Sequence, residues 1–172
     1  MKCNVLLGVL VSGLIFLTGC TAKDVVKNLV EKAYKVTVDS ENVVLKASTS
    51  EFIVTAKVLD VPLKVVAATL TFIDTKVTDP KVKEAIAKAV KAIEVVNKAV
   101  ADLTPEKVDK TKQLVIASLE DVKIALRFIG QYVGAKFPPD AEMIATNVDP
   151  IKSLVSSSQA LTDALNAVKS AK

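Results

Sequence analysis

Glycine is scarce in this chain of 172 residues, and only Gly130 and Gly134 occur after residue 20. The tight turns of an all-β domain need residues that accept a positive φ angle, and glycine accepts it most readily. A chain with two glycines in its last 152 residues has few places for such turns. The sequence therefore argues against an all-β fold and favours helices joined by short connections.

Four short motifs predict where helices begin. Asp79-Pro80, Thr104-Pro105 and Asp149-Pro150 each place an N-cap residue before a proline, whose missing N–H costs nothing at the first helical position. Ser48 and Glu51 have the spacing of a capping box. Apolar residues then recur every three or four positions, as they do after Pro80 at Val82, Ile86, Ala89, Ile93, Val96 and Val100. With a further helix starting near Ala22, we predict an all-α fold, an up-and-down bundle of about five helices.

The region Val36–Thr78 is less clear, because it is rich in valine and threonine, which favour strands. Pro62 also falls inside the helix proposed after Ser48 and would kink or break it. The three- and four-residue spacing of apolar residues nevertheless continues across Pro62. We therefore predict helix in this region, with strand as the alternative.

The segment Phe52–Ile73 is apolar on most of its circumference. Beside its first apolar stripe, which includes Leu63 and Leu70, runs a second stripe formed by Val54, Val58, Val61, Val65, Ala68 and Phe72. Its charged residues, Lys57, Asp60 and Lys64, lie on one narrow line suited to ion pairs. This pattern predicts the central helix of the bundle, covered on most sides. The alternative is that one stripe meets a partner, a second copy or lipid.

The two late glycines have separate interpretations. Gly134 suits the left-handed residue that ends a helix, and Gly130 permits close packing or a bend. Beyond them, Lys136–Pro139 must form a loop, and a short helical turn around Ala141–Thr146 is expected before the last helix.

The residues that carry most enzyme chemistry are missing. Without histidine there is no Ser-His or Cys-His nucleophile and no HExxH zinc site. The acidic pairs Asp39/Glu41 and Glu120/Asp121 do not share a helix face, so neither forms a convincing acid/base pair. Ser156–Ser158 lacks the context of a nucleophile, and the sequence contains no EF-hand or glycine-rich phosphate loop. We predict no catalytic residue, no cofactor and no metal site.

The basic residues do not form a strong patch. The net charge of +4 is too small for a nucleic-acid footprint. One strip on the helix after Pro80 combines lysines with a glutamate: Lys81, Glu84, Lys88, Lys91 and Lys98. The strip is typical of a solvated face, and docking on anionic lipid is the alternative.

The first twenty residues resemble a targeting signal. Lys2 precedes an apolar run of 13 residues, Val5–Leu17, which is too short to span a membrane as a helix and is typical of a secretory signal peptide. The next residues complete Leu17-Thr18-Gly19-Cys20, which resembles the lipobox of bacterial prolipoproteins. The resemblance covers this segment only.

The resemblance implies cleavage before Cys20 and attachment of lipid to its sulfur and its new amine. Residues 1–19 would then be a signal peptide and residues 20–172 a lipid-anchored helical domain. Cys3 would be discarded, which would leave the mature chain without a free thiol or a disulfide. Because Thr21 rather than Asp follows the cysteine, the resemblance implies the periplasmic leaflet of the outer membrane, or the outer face of the cell membrane in a bacterium with one membrane.

Together these observations predict a non-enzymatic cell-envelope lipoprotein that acts as a binding, scaffolding or accessory subunit. Its partners would be the membrane, through lipidated Cys20, and an envelope protein. The alternative is a carrier that holds an acyl chain or another apolar ligand between its helices. A cavity lined by apolar helix faces would favour the carrier, whereas a filled core with an exposed apolar patch would favour the scaffold. A third alternative is an enzyme with a site of oxygen ligands, which carboxylates converging in a cleft would favour.

Overall fold

The structure is a computed structural model that describes residues 22–140, 143 and 149–171. These residues form an all-α bundle with five helices of 15 or more residues, as the sequence predicts. The α-helices are α1 (Ala22–Lys46), α2 (Thr49–Thr55), α3 (Asp60–Asp74), α4 (Pro80–Ala101), α5 (Val108–Val133) and α6 (Pro150–Ser170). Two short 3₁₀ segments, Ala56–Leu59 and Pro105–Lys107, precede α3 and α5.

Three of the four predicted helix starts carry the expected cap. The Ser48 hydroxyl accepts a hydrogen bond from the Glu51 N–H, and the Glu51 carboxylate accepts one from the Ser48 N–H at 2.9 Å. The carboxylates of Asp79 and Asp149 accept hydrogen bonds from N–H groups in the first turns of α4 and α6. Side-chain oxygens thus satisfy N–H groups that have no partner within their own helix.

The prediction at Thr104-Pro105 is only partly right. The Thr104 backbone is extended, but no side-chain cap forms, and Pro105 begins a 3₁₀ turn of three residues before the α-helix starts at Val108. Helices α4 and α5, which this short connection joins, pack side by side. The sequence gives the position of this turn but not its type.

The central helix is α1, and the prediction that Phe52–Ile73 holds that place is wrong. Helix α1 packs against α3, α5 and α6, and its residues from Val36 to Val44 are all buried. The segment Phe52–Ile73 is instead divided among α2, a 3₁₀ turn and α3, and Val54 and Val61 of its second stripe are 70% and 65% exposed. Its first stripe is in the core, where Leu63 and Leu70 have no exposed surface.

Pro62 explains where that segment breaks. It is the third residue of α3, in a turn whose N–H groups lack helical acceptors, so its missing N–H is tolerated there. The α-helix therefore restarts at Asp60, two residues before the proline, instead of continuing unbroken from α2. The prediction of ion pairs among Lys57, Asp60 and Lys64 is confirmed for one pair. The Lys64 ammonium lies 2.7 Å from the Asp60 carboxylate.

The region between Val36 and Thr78 is helical, and no strand occurs in the described ranges, so the helical interpretation is confirmed. Gly134 ends α5 in the left-handed conformation with φ of 75°, as predicted. The helical turn expected at Ala141–Thr146 lies, except for Met143, outside the described residues. The signal peptide and Cys20 also lie outside them.

Candidate functional site

The middle of α1 buries a run of polar side chains: Thr37, Asp39, Ser40, Glu41 and Asn42. The two hydroxyls are satisfied within the helix, because each donates a hydrogen bond to a carbonyl one turn earlier. The Asp39 carboxylate pairs with the ammonium of Lys35 at 3.2 Å. Glu41 and Asn42 need partners from other elements, since a buried polar group without a partner costs free energy.

Glu41 finds its partner in a buried lysine of α5. The Lys123 ammonium donates a hydrogen bond to Glu41 at 2.6 Å, and it lies 2.5 Å from Glu120 and 2.9 Å from Asp140. Its side chain is only 4% exposed. One ammonium thus joins carboxylates from α1, α5 and the segment that follows α5.

Asp140 is the meeting point of a second set of contacts. The Tyr34 hydroxyl donates a hydrogen bond to Oδ1 of Asp140 at 2.5 Å, and Nη2 of Arg127 donates one to Oδ2 at 3.0 Å. The Arg127 guanidinium also stands 5.3 Å from the centre of the Tyr34 ring. We call the six residues the lysine cluster: Tyr34, Glu41, Glu120, Lys123, Arg127 and Asp140.

The lysine cluster keeps Lys123, Asp140 and Tyr34 in their ordinary charge states. Burial alone would lower the pKa of Lys123, but the hydrogen bonds that its ammonium donates to Glu120, Glu41 and Asp140 outweigh burial and raise the pKa above the usual lysine range. Burial would raise the pKa of Asp140, yet the hydrogen bonds from Tyr34 and Lys123 bring it below its usual value. Burial and Asp140 together raise the pKa of the Tyr34 hydroxyl, which therefore stays protonated.

The three carboxylates are close enough to share a cation. One oxygen each from Glu41, Glu120 and Asp140 lies within 4.8 Å of the others, an arrangement that could hold a metal ion. The Lys123 ammonium is within 2.9 Å of all three residues and already supplies a positive charge among them. A divalent cation would have to displace this ammonium, so the geometry supports an internal ion cluster rather than a metal centre.

The lysine cluster fastens the segment after α5 to the bundle. Phe137 packs its ring on Tyr34, with the ring centres 4.3 Å apart, and Asp140 completes the ion pairs. Gly130 makes room for this segment, because a Cβ atom at that position would lie 2.3 Å from the Phe137 ring. The close packing predicted for Gly130 is thus confirmed, and the neighbour is the loop rather than another helix.

Sequence reasoning missed the lysine cluster because it considered acidic residues close together in the chain. Glu41 and Glu120 do not pair with Asp39 and Asp121 but meet each other around Lys123. A signal was present: Lys123 follows the buried pattern of Leu119 and Val122 on α5, and Glu41 is flanked on α1 by the apolar residues Val36, Val38, Val43 and Val44. Charged residues at core positions predict a partner across the core, although they do not name it.

The remaining predicted features are spread over the surface. The side chains of Lys81, Lys88, Lys91 and Lys98 are exposed on α4, as a solvated face requires. In the serine run Ser156 is exposed, whereas Ser157 and Ser158 are buried. The Ser157 hydroxyl donates a hydrogen bond to the Leu154 carbonyl, which gives it a local structural role.

Two open grooves lie on the outside of the bundle. One, of about 750 Å³, lies between α1 and α6 and is lined by lysines and serines, including Lys32, Lys35 and Lys152. The other, of about 840 Å³, lies between α4 and α5 and combines lysines with Ile124 and Phe128. We call the second one the α4/α5 groove.

Comparison of the chain with protein-family models, with curated proteins and with solved structures found no match. Among the described helices, none combines the length and the apolar composition that crossing a bilayer requires.

Proposed function

We propose that the protein is a lipid-anchored component of the bacterial cell envelope, with lipid on Cys20 and a helical domain that serves as a binding, scaffolding or accessory subunit. The observation that carries the proposal is Leu17-Thr18-Gly19-Cys20 placed directly after a short apolar run. The described part of the fold begins at Ala22, two residues after that cysteine. Cleavage before Cys20 would therefore remove no residue of α1.

The chemistry of the lysine cluster supports a non-enzymatic role. A general acid or base works best when its pKa lies near the working pH. In this cluster the pKa of Lys123 is raised and that of Asp140 is lowered, so both groups stay charged at neutral pH. These groups make their ion pairs with one another, as is typical of a cluster that stabilises the fold.

The surface supports a binding role more than a carrier role. Several large apolar side chains of α5 are exposed, among them Ile124 at 55%, Phe128 at 42% and Tyr132 at 48%. A carrier would need an apolar cavity between helices, whereas both grooves described above are open and partly lined by lysines. An exposed apolar patch on a bundle that has its own buried core is typical of a surface that contacts a partner or a membrane.

Replacing Cys20 tests the anchor, and the other cysteine of the chain is a matched control. We expect parent and Cys3→Ser chains produced in a bacterium to begin at residue 20, to show the mass of attached lipid and to sediment with membranes. Cys20→Ser should stay unprocessed or become soluble, without bound fatty acid. A Cys20→Ser chain that is still cut after Gly19 and still sediments with membranes would overturn the proposal.

The partner is tested by crosslinking in intact cells. The parent protein should capture a defined envelope protein, and the Cys20→Ser variant should capture less of it because it no longer shares the membrane surface. Equal capture by both variants would show that the anchor has no part in finding the partner.

A further inference from the structure

The chain leaves very little length between the proposed anchor and the folded domain. Thr21 alone separates Cys20 from Ala22, the first residue of α1. Two residue steps span at most about 7 Å between Cα atoms. If Cys20 carries lipid, as proposed above, the start of α1 must lie at the headgroup layer, and the part of the bundle around it must lie close to the membrane surface.

The packing of α5 shows which residues share that end of the molecule. Lys112, near the start of α5, donates a hydrogen bond to the carbonyl of Ala47 just after α1, whereas the N–H of Lys136, just after α5, donates one to Glu31 in the first half of α1. The two helices are therefore antiparallel. The C-terminal part of α5 therefore lies beside the N-terminal part of α1, at the end of the bundle where α1 begins.

Helix α4 brings its first turns to the same end. In the α4/α5 groove Lys81 lines the same space as Phe128, and the opposite end is formed by Val95 and Ser118. Since α4 runs antiparallel to α5, its lysine-bearing start lies beside the C-terminal half of α5. The α4/α5 groove thus extends along the bundle from the half in which α1 begins.

The α5 side of this face is apolar and exposed. Ile124, Phe128 and Tyr132 follow one another at intervals of four residues and are 55%, 42% and 48% exposed. Residues four apart lie on one side of a helix, so the three side chains form a single strip. Two of them are aromatic in a chain that has only seven aromatic residues.

The α4 side of this face carries more positive than negative charge. The groove is lined by Lys81, Lys88 and Lys91, against the carboxylates of Glu84 and Asp121. Glu84 is paired with Lys88 at 2.7 Å. Neither Lys81 nor Lys91 has an ion pair with any residue that the structure describes. Exposed apolar side chains flanked by lysines are typical of protein surfaces that lie in the interface of a membrane with anionic lipids.

We propose that the strip of Ile124, Phe128 and Tyr132, with the flanking Lys81, Lys88 and Lys91, is the surface by which the anchored bundle lies on an anionic lipid headgroup layer. The inference rests on the lipid anchor proposed above. Because the anchor holds the domain at the membrane, a contact too weak to bind a free protein is sufficient to orient it. The side of the bundle formed by α4 and α5 then faces the membrane. An envelope partner would contact one of the other sides.

The test uses the full chain, processed in a bacterium and reconstituted into vesicles. A polarity-sensitive fluorophore is attached to Phe128→Cys, with Tyr132→Cys as a second reporter, in a Cys3→Ser background. Val61→Cys on α3 is the matched control, because Val61 is a similarly exposed apolar residue outside the groove. Circular dichroism verifies that each variant keeps the helical content of the parent. The vesicles are phosphatidylcholine alone or phosphatidylcholine with about one third phosphatidylglycerol, which supplies the negative surface potential.

With phosphatidylglycerol, the probes at 128 and 132 should shift to the blue and lose about half or more of their quenching by aqueous iodide, while the probe at 61 stays accessible. The protection should fall in phosphatidylcholine alone, in high salt and in the variant Lys81→Gln/Lys88→Gln/Lys91→Gln. Equal accessibility at 128 and 61 overturns the docking surface. The docking surface is also overturned if the probe at 128 is protected from iodide in detergent without vesicles and sedimentation shows a dimer. That result would show that the strip contacts a second copy of the chain.

Mass spectrometry of the same samples separates this inference from the function on which it rests. A chain that carries lipid but shows an accessible probe at 128 keeps the anchor and loses the docking surface. A chain without lipid on Cys20 overturns the proposed function, and the docking surface falls with it.

Discussion

Lys123 of α5 and Glu41 of α1 form a hydrogen-bonded ion pair of 2.6 Å across the interior of the bundle, with side chains that are only 4% and 9% exposed. Removing two charges from water is costly, and the attraction between them compensates only if each group keeps good hydrogen bonds. Glu120 and Asp140 supply further contacts to the same ammonium. The pair therefore constrains which surfaces of α1 and α5 meet, because a shift of either helix would leave a buried charge alone.

Removing the ammonium should destabilise the protein strongly. We expect Lys123→Met, which keeps a similar side-chain volume, to lower the free energy of unfolding by about 3–5 kcal/mol, because buried carboxylates lose their counter-charge. Urea denaturation followed by circular dichroism measures the change.

The matched control is Lys64→Met, which breaks the exposed pair with Asp60. Exposed ion pairs contribute little, so we expect a loss of less than about 1 kcal/mol. Equal losses in the two variants would show that Lys123 is not buried in the way described.

The stability of the protein should depend on pH at both extremes. The pKa of Asp140 is depressed below its ordinary value of 3.8, so its contribution is present above that value and is lost as the pH falls further. The pKa of Lys123 is raised above its ordinary value of 10.5, so its contribution is present below that value and is lost as the pH rises through the raised pKa. Unfolding by urea at several pH values should give a plateau between these limits.

Asp140→Asn isolates the acid side of this profile. The variant should be less stable than the parent at neutral pH, and the difference should shrink as the pH falls below 3.8. Asp163→Asn, on α6 where the residue is exposed, is the control and should keep the profile of the parent. A difference between Asp140→Asn and the parent that does not change with pH would argue against the assigned ion pairs.

The elements could be predicted from the sequence because their signals are local. Caps such as Asp79 act on N–H groups two or three residues away, and Gly134 ends α5 by its own backbone conformation. Such signals do not depend on which helices become neighbours. They locate the ends of helices without placing one helix beside another.

The arrangement of the helices could not be predicted in the same way. Phe52–Ile73 is more apolar than α1, yet α1 is the central helix. The carboxylates of Asp39 and Glu41 can be buried there because each forms an ion pair with a lysine in the folded protein. The partner of Glu41 lies 82 residues further along the chain. Hydrophobic periodicity identifies a buried face, but it does not reveal that a charged residue on such a face will be neutralised by another helix.

The contact between Gly130 and Phe137 should be sensitive to a single methyl group. A Cβ at position 130 would lie 2.3 Å from the Phe137 ring, so Gly130→Ala should displace the ring and cost about 1–3 kcal/mol of unfolding free energy. The cost should be smaller in a Phe137→Ala background, where the ring is absent. A cost that is unchanged by Phe137→Ala would assign the effect to the helix backbone rather than to this contact.

The two apolar stripes of Phe52–Ile73 should differ sharply in their contribution to stability. Leu63→Ala and Leu70→Ala remove fully buried volume and should each cost about 2–5 kcal/mol. Val54→Ala and Val61→Ala change side chains that are 70% and 65% exposed and should each cost less than about 0.5 kcal/mol. Chemical denaturation of the four variants measures these costs, and similar costs on both stripes would contradict the burial of the first stripe and the exposure of the second.

Asn42 provides the last prediction, because its side chain is buried without a visible reason in the fold. It is 1% exposed, and neither its Oδ1 nor its Nδ2 atom has a hydrogen-bond partner within the described part of the chain. A buried amide without partners costs free energy relative to an apolar side chain of similar size. We therefore expect Asn42→Leu to raise the free energy of unfolding by about 1–2 kcal/mol. Asn166→Leu, at an exposed position of α6, is the control and should change it by less than about 0.5 kcal/mol. Denaturation of both variants in urea measures the effect, and a clear loss of stability in Asn42→Leu would show that this amide is bound by a group that the fold needs.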